Sequence, residues 1–204
     1  MNSKKDRASN WKVYSIIDKS LLGAKDPAGF ARTIFKNGVN AVQFRHKNAP
    51  SYKMLPEARK IARLAREFCA DFLVNDRPDV ALASGASGVH SGYGDLGCSV
   101  IKKILGKRMI LGKTVHTHRE MKRAKSEDFD YLSAGPIFRT PLKRRLPEKG
   151  IRFIKKMRCL SRKPLLGIGG INEKNACRVL AAGADGVCLA RGSFMIKKIL
   201  KAMK

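Results

Sequence analysis

The chain has 204 residues, 44% of them hydrophobic, enough for one substantial core and short for two. Its 43 Lys and Arg against 16 Asp and Glu give a net charge of +27, a field that concentrates polyanions of any kind around the protein. No apolar run approaches the roughly 20 residues that span a bilayer, and five scattered cysteines without a Cys-x-x-Cys pair exclude a disulfide framework or zinc site and point to a reducing cytoplasm.

Residues 1–10 carry charge with no apolar stretch behind it, which predicts a loose tail rather than a signal peptide, ahead of a single domain over 11–204. The first β-rich run is Val13–Asp18. Asp26-Pro27 then reads as an N-cap and first helical residue, with Phe30, Ile34 and Phe35 inward and Asn37-Gly38 as the stop. Val39–Arg45 is a second strand, followed by a long amphipathic helix over 51–69. Asp71–Asn75, Gly88–Ser91, Met109–Val115 and Tyr131–Gly135 read as further strands. Short helices between them are expected over 78–84, 99–105 and 117–126. A helix over 150–160, a strand Pro164–Gly170, a helix over 173–182, a strand Gly186–Ala190 and a last helix over 193–203, capped by Ser193, complete the chain. The cysteines read mostly as small core residues.

Eight apolar runs without strict alternation, separated by helices, predict a parallel sheet buried on both faces. The fold class is therefore α/β, a single (β/α)8 TIM barrel, with a doubly wound open sheet as the runner-up. In a barrel the carboxyl ends of the strands share one mouth. Strand two brings Gln43, Arg45 and Lys47 there on one side, and such cations are costly without an anionic ligand or core carboxylates. Strands three and four bring Asn75, Asp76, His90 and Asp95. Two carboxylates facing a cationic patch suit Mg²⁺, although each Asp could instead cap a helix. The loop after strand six carries Thr140, Lys143, Arg144 and Arg145 and suits either a lid over a phosphate or a solvated basic loop. Gly169 and Gly170 after strand seven, with Ala190 and Arg191 after strand eight, suit a second phosphate. His90, His116 and His118 read as structural or hydrogen-bonding histidines, with general acid/base work open to them.

In this order the segments Val42–Lys47, Val74–Asp79, Gly88–Asp95, Ile110–His116, Gly135–Thr140 with Lys143, and Gly167–Ile171 resemble the thiamine phosphate synthases and their relatives, the TenI-type thiazole tautomerases. The resemblance runs from about Tyr14 to Ser193. It implies a cytoplasmic transferase of small phosphorylated substrates, which joins a pyrimidine diphosphate to a thiazole phosphate through a pyrimidine carbocation. By that resemblance Gln43, Arg45, Lys47, Asn75 and Lys143 would hold the pyrimidine diphosphate, with Arg45, Lys47, Lys143 and Thr114 closest to the chemistry. Asp76 and Asp95 would hold Mg²⁺. Thr114 stands where the family carries a serine near the pyrimidine. Thr140, Gly169, Gly170, Ala190 and Arg191 would take the thiazole phosphate. The chain departs from the pattern at Leu142, where the family has a second hydroxyl, at Arg191, where it has a serine, and at Ser91 and Gly94. A tautomerase would use His116 and tends to lose the Asp pair and the paired cations, all kept here. A non-catalytic polyanion-binding relative is the third reading, motivated by the +27 charge. Specific nucleic-acid binding is not expected, and a homo-oligomer is compatible with the sequence.

Overall fold

The structure, a computed structural model, describes residues 3–106, 108–144 and 146–204. Helix α1 (Lys4–Ser9) precedes strand β1 (Val13–Asp18), then α2 (Lys19–Leu22), α3 (Pro27–Lys36), β2 (Ala41–Arg45), α4 (Ser51–Glu67), β3 (Asp71–Asn75) and α5 (Pro78–Ser84). They are followed by β4 (Gly88–Ser91), α6 (Cys98–Leu105), β5 (Ile110–Val115), α7 (His118–Ala124), β6 (Tyr131–Ala134) and α8 (Ile151–Leu160). The chain finishes with β7 (Leu165–Ile168), α9 (Ala176–Ala181), β8 (Gly186–Leu189) and α10 (Ile196–Ala202). The strands pair in parallel in chain order, and β8 closes on β1, so the sheet is the expected closed (β/α)8 barrel.

Alternation along each strand sorts side chains into two layers. One set packs between barrel and helices, among them Ile17, Val42, Phe44, Val74, Leu111 and Val187. The other fills the barrel itself and includes Trp11, Tyr14, Ile16, Leu73, Ile110, Tyr131, Leu166 and Cys188. The interior is crowded with rings, and the neighbouring strand makes room: a Cβ at Gly112 on β5 would sit 2.1 Å from Tyr131 Cζ on β6.

Of the stretch expected as a loose tail, residues 1 and 2 lie outside the described residues, and Lys4–Ser9 is a capped helix packed at the amino-terminal end of the barrel. Ser3 and Asp6 form a capping box at its start. Arg7 pairs with Asp71, Lys4 Nζ lies 3.2 Å from Asp130, and Ala8 is fully buried. Trp11 donates from Nε1 to Asp71 at 3.0 Å. A short turn of polar sequence gains order here because buried carboxylates at the strand starts await its cations.

Other differences are local. Asp26 caps α3 as expected, accepting from Ala28 and Gly29. Ser193 caps nothing: its hydroxyl donates to the Leu189 carbonyl at 2.7 Å and accepts from Ser15 at 2.6 Å, tying β8 to β1. The last α-helix starts later, at Ile196, behind a 3-10 turn over Arg191–Met195. Only Cys98 and Cys188 are buried, while Cys69, Cys159 and Cys177 are exposed, so the core reading of the cysteines fails for three of five.

Candidate active site

The carboxyl ends of the strands open on a cavity of about 440 Å³. Gln43, Arg45, Lys47, Asn75, Asp76, Asp95, Thr114, Thr140, Lys143, Gly169, Gly170, Ala190 and Arg191 all line it, together with His90 and His116. The side chains selected from strand ends are thus brought to one place. Arg144 is exposed on the loop after β6; Arg145 lies outside the described residues.

β2 delivers the first cations. Arg45 Nη1 donates to Asp18 Oδ2 at 2.6 Å, and Asp18 is buried. The register of β1 and β2 pairs these two residues directly. Part of the cationic cost is therefore met by a core carboxylate, and a charge-assisted bond of this length fixes the guanidinium at the cavity wall. Asp18 also caps α2 through the Ser20 amide at 2.9 Å, which is why a short helix follows the strand. Among the described residues Lys47 and Lys143 form no ion pair. The Lys143 ammonium is held below the ordinary lysine range, first by desolvation and then by repulsion from Arg45 and Lys47, with Asp76 and Asp95 opposing. That mutual influence joins three cations and two carboxylates in one electrostatic cluster.

Neither Asp caps a helix: α5 follows Arg77 and α6 follows Gly97, both without a side-chain cap. Asp76 adopts a left-handed backbone, φ 59°, with its amide donating to the His90 carbonyl at 2.9 Å. Such a conformation in a non-glycine residue is costly and clusters at functional sites. The Asp76 carboxylate accepts from Asn75 Nδ2, and both Asp76 and Asp95 line the cavity. Burial first, then Asp95, pushes the Asp76 carboxyl up to about 6.

The loop after β6 is zipped at its base. Ile137 donates to the Ile168 carbonyl at 2.8 Å and Phe138 to that of Gly169 at 3.0 Å, while Gly150 returns to Ile137 at 2.9 Å. A Cβ at Gly170 would sit 2.6 Å from the Arg139 carbonyl oxygen. The glycine pair is thus required by the loop lying on it, a reason the sequence did not offer. Thr140 accepts from the Leu142 amide at 3.4 Å, which leaves its hydroxyl proton free for a ligand. His116 turns Nδ1 to the Gly135 carbonyl at 2.6 Å, so Nε2 is the nitrogen left for the cavity.

The family model described as thiamine monophosphate synthase matches residues 13–192. The chain belongs to the thiamine monophosphate synthase family. A thiamine-phosphate synthase of Moorella thermoacetica is 39% identical over 178 residues, covering 87% of this chain and 85% of that one. One from Caldanaerobacter subterraneus is 34% identical over 203 residues, covering 94% and 95%. The structure of thiamine phosphate pyrophosphorylase from Pyrococcus furiosus superposes with a TM-score of 0.85 at 32% identity, covering 96% of each chain.

Within this family barrel, Asp18 and the tyrosine partners of His90 escaped the sequence reading. Asp18 ends β1 as Asp76 follows β3, and the strand-end rule alone would have placed it at the mouth. His90 belongs to a buried chain of polar groups whose other members, Tyr14 and Tyr131, read as apolar strand residues. Among the described residues no helix is long and apolar enough to cross a membrane.

Proposed function

We propose that the protein is a thiamine phosphate synthase. It joins 4-amino-5-hydroxymethyl-2-methylpyrimidine diphosphate to 4-methyl-5-(2-hydroxyethyl)thiazole phosphate and releases pyrophosphate. The observation that carries this reading is the cluster of Arg45, Lys47 and Lys143 with Asp76 and Asp95 on one cavity. A diphosphate with a divalent cation is the ligand class that such a set of charges complements.

The donor set fits Mg²⁺. Asp76 and Asp95 are hard oxygen donors on one cavity, and the Asp76 carboxyl is raised first by burial and then by Asp95, a cost that a cation would relieve. Asp76 and Asp95 would hold Mg²⁺ together with the substrate's phosphates, where it would help neutralise the leaving group. Arg45, fixed by Asp18, with Lys47 and Lys143, binds the diphosphate and stabilises charge that grows as the methylene C–O bond breaks. The electron pair leaves with pyrophosphate, and the thiazole nitrogen attacks the pyrimidine carbocation to form the C–N bond. Gln43, Asn75 and Thr114 orient the pyrimidine. Thr140, Gly169, Gly170 and the Ala190-Arg191 segment hold the thiazole phosphate. Arg191, in place of a serine, adds a formal charge to that side.

The test is coupling itself: purified protein, both substrates and Mg²⁺, with thiamine phosphate and pyrophosphate as readouts. Product that vanishes with EDTA and with Asp76→Ala supports the synthase. A second reading, thiazole tautomerisation by His116, has in its favour the Nε2 left for the cavity. It predicts activity that survives Asp76→Ala and is lost in His116→Asn.

A further inference from the structure

Beneath the cavity five polar side chains form a line through the barrel. Gln43 Nε2 donates to the Tyr14 hydroxyl at 2.8 Å. The Tyr14 and Tyr131 hydroxyls are 3.0 Å apart. The Tyr131 hydroxyl lies 2.7 Å from His90 Nδ1, and His90 Nε2 lies 2.6 Å from Thr114 Oγ1. The ends, Gln43 on β2 and Thr114 on β5, line the cavity. The two tyrosines are fully buried, and β3 and β4 separate the strands that carry the ends.

Proton counting constrains this line. His90 and both tyrosines are buried, and every side-chain hydrogen-bond partner along the line is neutral, so the line holds a neutral imidazole and two neutral phenols. A neutral imidazole has one N–H and one bare nitrogen, and each hydroxyl has one proton. Every link is satisfied only if all protons point the same way along the line. With Gln43 donating, Tyr14 donates to Tyr131, Tyr131 to His90 Nδ1, and His90 Nε2–H to Thr114. Thr114 then donates into the cavity while Gln43 offers its carbonyl oxygen. With the Gln43 amide turned over, every link reverses, Gln43 offers N–H and Thr114 an acceptor. Any mixed arrangement leaves a buried donor or lone pair unmatched, which is costly.

We propose that Tyr14, Tyr131 and His90 are positioning residues forming a relay that couples Gln43 to Thr114, so that the mouth presents one donor and one acceptor in opposed sense. The ligand class this selects is a planar heterocycle offering a donor and an acceptor, such as a ring nitrogen beside an amino group. That part rests on the pyrimidine-binding reading above; the coupling itself does not.

The discriminating experiment is nitrogen-15 NMR of the His90 ring in the free protein, assigned with His90→Gln and compared with Tyr131→Phe and Tyr14→Phe. Each phenylalanine keeps the ring that fills the barrel and removes only the hydroxyl, and circular dichroism confirms the fold. The expected result is a single tautomer in the parent and altered Nδ1 and Nε2 shifts in both variants. Tyr14 makes no hydrogen bond to His90, although their rings lie 6.5 Å apart, so the readout is the exchange of Nδ1 and Nε2 shifts that marks a change of tautomer, which a ring neighbour alone does not produce. Unchanged His90 shifts in Tyr14→Phe overturn the relay, whatever Tyr131→Phe does. A kinetic arm applies if the synthase reading holds. Tyr131→Phe and Thr114→Val should each lower kcat/KM about tenfold or more, and the double variant should fall no further than the worse single one. Multiplicative losses overturn the coupling. Absence of turnover in the parent instead removes the synthase reading and leaves the NMR result standing.

Discussion

Asp18 and Arg45 sit side by side in register on β1 and β2 and close a 2.6 Å bond at the rim of the barrel. The carboxylate is buried and the guanidinium half-buried, so the bond positions Arg45 as much as it neutralises it. Asp18→Asn keeps an acceptor for the α2 cap but removes the charge. The expected loss is about 1–3 kcal/mol of stability, with KM for the pyrimidine diphosphate raised about tenfold and a smaller change for the thiazole phosphate. Chemical denaturation and steady-state kinetics measure the two effects. An unchanged KM would remove Asp18 from the site.

Burial and the neighbouring Asp95 raise the Asp76 carboxyl in the folded protein to about 6, from an ordinary value of 3.8. The folded state therefore binds the proton more readily than the unfolded chain between those values. Stability falls as pH rises through that window and stays lower above it. Asp76→Asn removes this loss and keeps a residue that tolerates left-handed φ. In EDTA the variant should melt a few degrees above the parent at pH 7.5, since roughly 1 kcal/mol corresponds to about 2–4 °C for chains of 150–250 residues. The difference should shrink towards pH 4. Mg²⁺ should raise the melting temperature of the parent and not of the variant, and the variant should be inactive.

Gly112→Ala places a methyl 2.1 Å from the Tyr131 ring, in an interior with no slack. A destabilisation of about 1–3 kcal/mol or more is expected from overpacking. Because Tyr131 must move, coupling activity should fall further than the stability loss explains. Urea unfolding beside kcat/KM at a temperature where the variant is folded separates the two.

The chain has one tryptophan, Trp11, sealed under α1 with its indole N–H on Asp71. Arg7→Ala takes the cation from Asp71 and leaves only the indole donor. Stability should drop by about 1–3 kcal/mol, and removal of residues 1–9 should shift the Trp11 emission to the red. Unshifted emission after that truncation would mean that α1 does not cover the amino-terminal end of the barrel.

The barrel was legible because its apolar runs are punctuated by Gly, Asp and Pro at the strand ends, and Asp26-Pro27 marks a helix start unaided. One-turn elements were not: Lys19–Leu22 is too short to show a period, and α9 starts late because Asn172 and Asn175 hold a turn ahead of it. Site positions were legible wherever a polar residue followed an apolar run. What stayed hidden depends on lateral register. Asp18 faces Arg45 only once β1 is laid against β2, and Tyr14 meets Tyr131 only across the closed barrel. α1 was overlooked although Ser3 and Asp6 offer a local cap, because the apolar face that marks a helix is missing and the ion pairs with Asp71 and Asp130 that hold it are distant in sequence.

The acids of this chain are spent mostly on internal bonds: Asp18, Asp71, Asp79, Glu127, Asp130 and Asp185 all hold cations of the chain itself. The exposed surface is left dominated by lysine and arginine, so incoming phosphates meet attraction well beyond the mouth. The outside becomes a reservoir of weak decoys. Mobile ions screen such exposed charges well before those enclosed in a cavity, so moderate salt should empty the decoys first and sharpen the preference for the mouth.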